Sequence, residues 1–481
     1  MINHTRFKYH DYYITIGLEI HVALQTKKKL FSSTDNAFSV ENIALLDCAI
    51  PGTLPVLNNE AVEMACIFGL ATNSKINQYS EFERKHYFYP DLALGYQITQ
   101  QHKPILGTGF IPIEVNGYKK LIEIEHSHLE CDAAKSLHDM YSTFTAIDIS
   151  RGGTALIEIV STPCIHTPLE AVAYAKTIHS LVSTLDICDG KMEEGSFRVD
   201  ASISLSKDMH KLGTRVEIKN ISSFHFLELA LNHEIERQFS LLHSGESVLM
   251  QTRLYHEDSN TTIAMRDKET VQDYRYMQDP DIPALCIDSE FLDKVSQSYF
   301  VDYFGILEFY QNTFKDHKIS IDNDKILDLL KSDLKSYLIY IYKNPQILST
   351  VEIDKLFKSI FYWIPEVQTK IKETPFILIE IEEFLNIIKT PIQSKEFKDG
   401  YSEWLKSPAK PFKEFFIKKE GDIEILVSFI KTTCNQHQEQ LNDVKLTIDK
   451  KIQFIMGKTM KEFKGQFTAQ TISQEIKKIL I

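Results

Sequence analysis

Short alternating runs fill the first part of the chain. In residues 14–22 (ITIGLEIHV), Ile16, Leu18, Ile20 and Val22 are apolar, whereas Gly17, Glu19 and His21 between them are not. A period of two predicts a strand with one face on a core, and it places Glu19 and His21 roughly 7 Å apart on the other face. The pattern recurs in RVDASISLS. Val199, Ala201, Ile203 and Leu205 alternate there with Arg198, Asp200, Ser202 and Ser204. In GTRVEIKN, Val216 and Ile218 alternate with Arg215, Glu217 and Lys219. In HSHLECD, His128, Glu130 and Asp132 share a face if the segment is extended. Such strands predict an antiparallel sheet packed on helices, its far face rich in charge.

Three helices are predicted in the same region. Thr167-Pro168-Leu169-Glu170 offers an N-cap, a first-turn proline and a reciprocal capping Glu. Apolar Val172, Ala175, Leu181, Val182 and Leu185 follow at helical spacing. Asn59 can cap NEAVEMACIFGLATN, and a third helix runs from about Ser223 to Gly245. Beyond residue 290 the alternation gives way to Ile-, Leu-, Lys- and Glu-rich helical patterning. The last Arg is Arg275, and 13 of 18 Gly precede the change. The stretch 394–411, with Gly400, Pro408 and Pro411, is the best second boundary. Two amphipathic helices end the chain. The expected class is α+β: a β-rich domain at 1–290, a helical domain at 291–400 and a small helical tail at 401–481.

Composition narrows the classes. The 481 residues are 43% hydrophobic and 25% charged, which excludes a wholly disordered chain or a small disulfide scaffold. A net charge of −13 excludes a uniformly basic nucleic-acid coat but not a local basic site. The seven Cys include no C-x-x-C, which fits free thiols in a reducing compartment. No apolar run approaches the ~20 residues of a membrane span. No apolar signal core opens the chain, so the expected location is the cytoplasm, or an organelle matrix.

A sheet face that mixes Glu, Asp, His, Arg and Lys suits nucleotide-dependent phosphoryl transfer. Carboxylates hold Mg²⁺, and basic groups neutralise phosphate oxygens. A solvated face of paired charges is the alternative. Gly457-Lys458-Thr459 is no P-loop, because Ile452 stands where the first glycine is required. The segment FERKHYFYPD interleaves Arg84 and Lys85 with aromatics, as a base or phosphate site would. Lys451, Lys458, Lys461 and Lys464 in the tail suit either solvent or an RNA backbone.

IGLEIHV, AIPGTLPVLN, FERKHYFYPD, YQITQ, ALIEIVSTP, KMEEGSFRVDASISL, GTRVEIKNISSF and DYRYMQDPDI occur in this order. Together they resemble the GatB/GatE family of the tRNA-dependent Asp/Glu amidotransferases. The last 30 or so residues are similar to the family's YqeY-like tail. The resemblance implies a cradle-shaped kinase domain that uses ATP and Mg²⁺ to phosphorylate the side-chain carboxylate of Glu or Asp misattached to tRNA(Gln) or tRNA(Asn). It implies an amidase subunit (GatA) that supplies ammonia, a small bridging subunit (GatC), and tRNA contact by the helical parts. By motif, Glu19, His21, Lys85 and Lys219 would be catalytic. Arg84, Lys85, Arg198, Arg215 and Lys219 would bind nucleotide. Glu19, His21, Glu130, Cys131, Asp200 and Glu217 would hold metal.

The chain departs from the family pattern at His126-Ser127-His128-Leu129-Glu130-Cys131-Asp132, where Arg-Leu-His-Met-Glu-Glu-Asp is usual. Cys131 thus replaces a carboxylate, and thiolate is a poor Mg²⁺ ligand. Leu94 replaces a basic residue, and Ser150 and Ala155 replace Asn and Pro. Two readings stay open: a working GatB, or a related protein acting on another aminoacyl-tRNA or carboxylate or binding tRNA without catalysis.

Overall fold

The computed structural model describes residues 7–480 except 38, 138–139, 142, 268–272, 371–377, 417–422, 443–446, 464–466 and 468. The chain forms two compact units, Met1–Lys335 and Ser336–Ile481.

The first unit is built on strands β1 (Tyr12–Ala23), β2 (Glu83–His86), β3 (Tyr96–Thr99), β4 (Gly109–Val115), β5 (Tyr118–Cys131), β6 (Ala155–Ser161), β7 (Phe197–Ser206), β8 (Val216–Ile221), β9 (Gln251–His256), β10 (Thr261–Asp267) and β11 (Met277–Gln278). The large sheet runs β10-β9-β8-β7-β1-β6-β5-β4, with a two-residue strand, Lys8–Tyr9, paired to β1. A small sheet runs β11-β2-β3. Pairing in the large sheet is antiparallel, as the alternation predicts, except for parallel β8 and β9. That exception follows from chain order, because a whole helix, α3 (Phe224–His243), connects them.

Helices α1 (Asn59–Ala71), α2 (Pro168–Thr184) and α3 cover the apolar face. Ile16, Leu18, Ile20 and Val22 of β1 pack in one core with Val199 and Ala201 of β7 and with Ile178, Leu181, Leu227 and Leu231 of the helices. Each of the Val, Leu and Ile side chains contributes roughly 1.5–3 kcal/mol by leaving water. Asn58, not Asn59, caps α1, its side chain accepting from Glu60 N–H. Thr167 caps α2 as expected, but Glu170 does not reach back to it. Its buried carboxylate instead accepts from His166 N–H at 2.7 Å, Lys120 Nζ at 2.8 Å and Tyr118 OH at 3.0 Å, tying α2 to β5.

The first unit continues past the change of composition near 290. Val295 of α4 (Ser289–Ser298) and Tyr303 of α5 (Tyr303–Asp316) belong to the same core. A short helix, α6 (Asn323–Leu330), follows.

The second unit is helical. The stretch expected as a boundary near 394–411 is folded: Ser394–Trp404 is a helix, and Trp404 donates to Lys410 O at 3.0 Å. Gly400 is required because the Phe416 ring occupies the space a Cβ would take. Helices Ile423–Gln436, Ile448–Glu462 and Ala469–Leu480 enclose Leu426, Ile430, Ile455, Ile472 and Ile476. Gly457-Lys458-Thr459 lies inside the second of these, so it forms no phosphate loop. Among the described residues no helix is long and apolar enough to cross a membrane.

Candidate active site

The polar face of the large sheet gathers its charges by register. His21 of β1 lies opposite Arg198 of β7 on one side and Glu158 of β6 on the other. Glu19 lies opposite Asp200, and Glu158 lies opposite His128 of β5. Residues paired across antiparallel strands share a face, so the alternation in each strand delivers these groups to one place.

The side chains converge on His21. Its Nε2 is 3.3 Å from Glu158, 3.4 Å from Glu19 and 3.6 Å from Glu130. His128 Nε2 lies 3.5 Å from Glu158 and 3.8 Å from Glu130. Two trios, Glu19–His21–Asp200 and His21–Glu130–Glu158, each bring potential ligand atoms within 4.8 Å of one another.

Crowding perturbs these groups. Burial, and then the Glu158 charge, push the Glu19 carboxyl up to about 7, against the pull of His21 and Lys219. Burial disfavours a charged His21, yet its hydrogen bond to Glu158 and the charges of Glu158, Glu130 and Glu19 raise it to about 9. Glu158 is also buried, but His128, His21 and Lys85 outweigh that and hold it well below the usual carboxylate range. The His128 imidazole is raised against its burial by Glu158 and Glu130.

Cations ring the cluster. A register shift between Val199 and Ala201 of β7, with Asn220 opposite at φ 64°, breaks the regular β7–β8 pairing beside Lys219. Its Nζ lies 2.5 Å from Asp200 and 3.0 Å from Glu217. Lys85 comes from the small sheet. Burial opposes its charge, but Glu130 and Glu158 hold the ammonium above its ordinary value. Lys85 makes no direct ion pair among the described residues, and its Nζ stands 5.1 Å from the Tyr274 ring centroid. Arg198 donates to Asp132 at 3.2 Å.

Other expected residues lie elsewhere. Arg84 neighbours Lys85 on a strand and so points the opposite way. Its Nε donates to Asp279 at 2.8 Å, a second nitrogen donates to Asp281 at 2.7 Å, and the guanidinium lies 4.4 Å from the Tyr96 ring centroid. Arg215 is exposed just before β8 and pairs with no carboxylate among the described residues. Glu217 sits at the rim, accepting from Thr252 at 3.2 Å. Cys131 belongs to neither ligand trio. It follows Glu130 on the strand, so it turns the other way, into a cavity of about 50 Å³ that Leu94, Gln97 and Asp132 also line. Burial, then Asp47 and Asp132, push its thiol up to about 12, so it is not a thiolate ligand.

Two residues of the cluster escape a reading of the sequence alone. Glu158 is the lone acid in the apolar run ALIEIVS, and His128 shares a face with Glu130 but carries no further signal of a role. The oxygen-rich donor set fits a hard divalent cation such as Mg²⁺. Among the described residues the buried His128 Nδ1 makes no hydrogen bond.

Residues 14–293 match the GatB/GatE catalytic domain, and residues 353–480 match the GatB domain. The chain belongs to the GatB/GatE family. It is similar to the B subunit of the aspartyl/glutamyl-tRNA(Asn/Gln) amidotransferase of Legionella pneumophila strain Lens, 38% identical over 485 residues, covering 97% of this chain and 98% of the relative. The B subunits from Vesicomyosocius okutanii and Pseudomonas fluorescens are 52% and 50% identical over 287 and 288 residues, 59% of this chain and 60% of each relative. The whole cluster falls within the GatB/GatE catalytic match.

Proposed function

We propose that this GatB family member is the carboxylate-activating subunit of a tRNA-dependent amidotransferase. It phosphorylates the side-chain carboxylate of Glu on tRNA(Gln), or Asp on tRNA(Asn), with ATP, and converts it to the amide with ammonia. The observation that carries the reading is the convergence of Glu19, Glu130, Glu158, Asp200 and His21 on one sheet face, ringed by Lys85, Lys219 and Arg198.

A carboxylate is a poor acyl donor, so oxygen must first be made a leaving group. One carboxylate oxygen attacks the γ-phosphorus, the bond to the β-phosphate oxygen breaks, and ADP leaves. Ammonia then attacks the acyl carbon, phosphate departs, and the nitrogen gives up a proton to leave the amide. Glu19, His21, Glu130, Glu158 and Asp200 would hold Mg²⁺, which supplies charge neutralisation at the transferring phosphoryl. Lys85, Lys219 and Arg198 neutralise its remaining oxygens and fix its orientation. Glu158, held ionised by its imidazole neighbours, and Glu19, once it gives up its proton, are the natural seats for cationic charge. This first unit would then serve as the kinase cradle.

Cys131, at the position expected to supply a second ligand, faces away from the cluster, and Glu19, Glu130, Glu158 and Asp200 assemble without it. That supports a working enzyme over a repurposed one. Ammonia would come from an amidase partner, joined by a small bridging protein, and the helical unit would contact the tRNA. Calorimetric titration of Mg²⁺ in the presence of ATP tests the site. Glu19→Gln and Glu158→Gln are each expected to weaken Mg²⁺ binding about 10–100-fold. Wild-type affinity in both variants would overturn the placement.

A further inference from the structure

Asp132 is the hub of a charge network beside the cluster. Its buried carboxylate accepts from Arg151 Nε at 2.8 Å and from both terminal nitrogens of Arg198 at 3.2–3.3 Å. Arg151 also donates to Gly195 O at 3.1 Å. Gly195 has φ +75°, and a Cβ there would meet the guanidinium at 3.0 Å, so only glycine seats this contact. The backbone of Asp132 is fixed as well, donating to Thr154 O at 2.9 Å and accepting from Gly153 N–H at 3.1 Å.

Two guanidinium groups on one carboxylate leave one positive charge over. Arg151 is held from both sides and is 17% exposed, whereas Arg198 is 36% exposed and lies opposite His21 in the register. The charges of Glu130 and Asp200, as well as Asp132, act on Arg198. Of the two guanidinium groups, that of Arg198 is therefore the one presented to the site.

We propose that Asp132 and Arg151 are positioning residues that hold the Arg198 guanidinium at the cluster as a phosphate contact. An unanchored arginine beside four carboxylates would collapse onto them. Asp132, shared with Arg151, engages both terminal nitrogens of Arg198 and leaves its Nε–H and the outward terminal hydrogens for an anion. The proposal rests on the ATP-dependent reading above.

A double-mutant cycle on MgATP binding to the full chain is the test. Asp132→Asn and Arg198→Ala are each expected to weaken binding about 10–100-fold. Because Asp132 acts through Arg198, the double variant is expected to bind like Arg198→Ala, within about twofold. Asp132→Glu is expected to recover most of the affinity. Losses that multiply in the double variant, or wild-type binding by Asp132→Asn, would overturn the proposal and leave the functional reading intact. Wild-type protein that binds no MgATP would overturn both. If Asp132→Asn does not fold, Arg151→Lys serves in the same cycle. It keeps the charge and gives up the fork that spans Asp132 and Gly195.

Discussion

Glu158 stands between two imidazoles, 3.3 Å from His21 and 3.5 Å from His128. Its neighbour across the cluster, Glu19, is lifted by burial and by the Glu158 charge. Neutralising either position is expected to weaken Mg²⁺ binding, and Glu158→Gln is expected to cost stability as well, because it removes the charged partner of two largely buried imidazoles. Cys131 sits one residue beyond Glu130 and faces a different cavity, so restoring a carboxylate there supplies no ligand. Cys131→Glu is expected to leave Mg²⁺ affinity unchanged and to cost about 1–3 kcal/mol in denaturant unfolding, through burial of a polar group beside Asp47 and Asp132. A gain in Mg²⁺ affinity would show that this position reaches the cluster. Arg84 behaves differently again. Asp279 is fully buried against it, so Arg84→Ala is expected to destabilise by about 3–5 kcal/mol, while the folded fraction still binds nucleotide. Nucleotide binding lost without destabilisation would return Arg84 to the site.

Strands with an apolar face and a charged face are the most readable elements. β1, β7 and β8 each announce their inward and outward residues by period two, and their polar faces meet in the structure as that period requires. The same rule separates Arg84 from Lys85, a distinction lost when a basic-aromatic segment is taken as one patch. β6 is harder. Its sequence is apolar on both sides of Glu158, because this strand is buried within the sheet, and only its register against His21 and His128 exposes the acid's role. Helix starts are legible to within a residue, since Asn58, Thr167 and Ser223 carry cap chemistry in their side chains. The role of Glu170 is not legible locally, because its partners Lys120 and Tyr118 are about 50 residues away in sequence. Thr167→Ala is expected to cost about 1 kcal/mol, read as a lowered denaturant midpoint with unchanged slope. A change beyond that would mean the α2 cap also steadies the site.

At the scale of the molecule, the break in composition near 290 and the break in packing after Lys335 differ because α4 and α5 donate side chains to the first unit's core. Composition reports on evolution of a segment, whereas packing follows apolar contact. The cluster on the sheet face brings four carboxylates together, and a bound cation that favours the folded state stabilises it by mass action. At a hundredfold excess over its dissociation constant, Mg²⁺ is expected to add about 2.7 kcal/mol, seen as a rise in melting temperature that Glu158→Gln abolishes. No rise in the wild type would argue that the carboxylates are merely paired with Lys219 and Lys85. The most direct measurement is ATP hydrolysis by the chain assembled with the amidase and bridging proteins proposed above, compared with Glu-tRNA(Gln), Asp-tRNA(Asn) and the same tRNAs uncharged. Mg²⁺-dependent hydrolysis stimulated only by a mischarged tRNA, and lost in Glu19→Gln, is the predicted result. Hydrolysis indifferent to the attached amino acid, or absent from a fully assembled complex, would contradict the account.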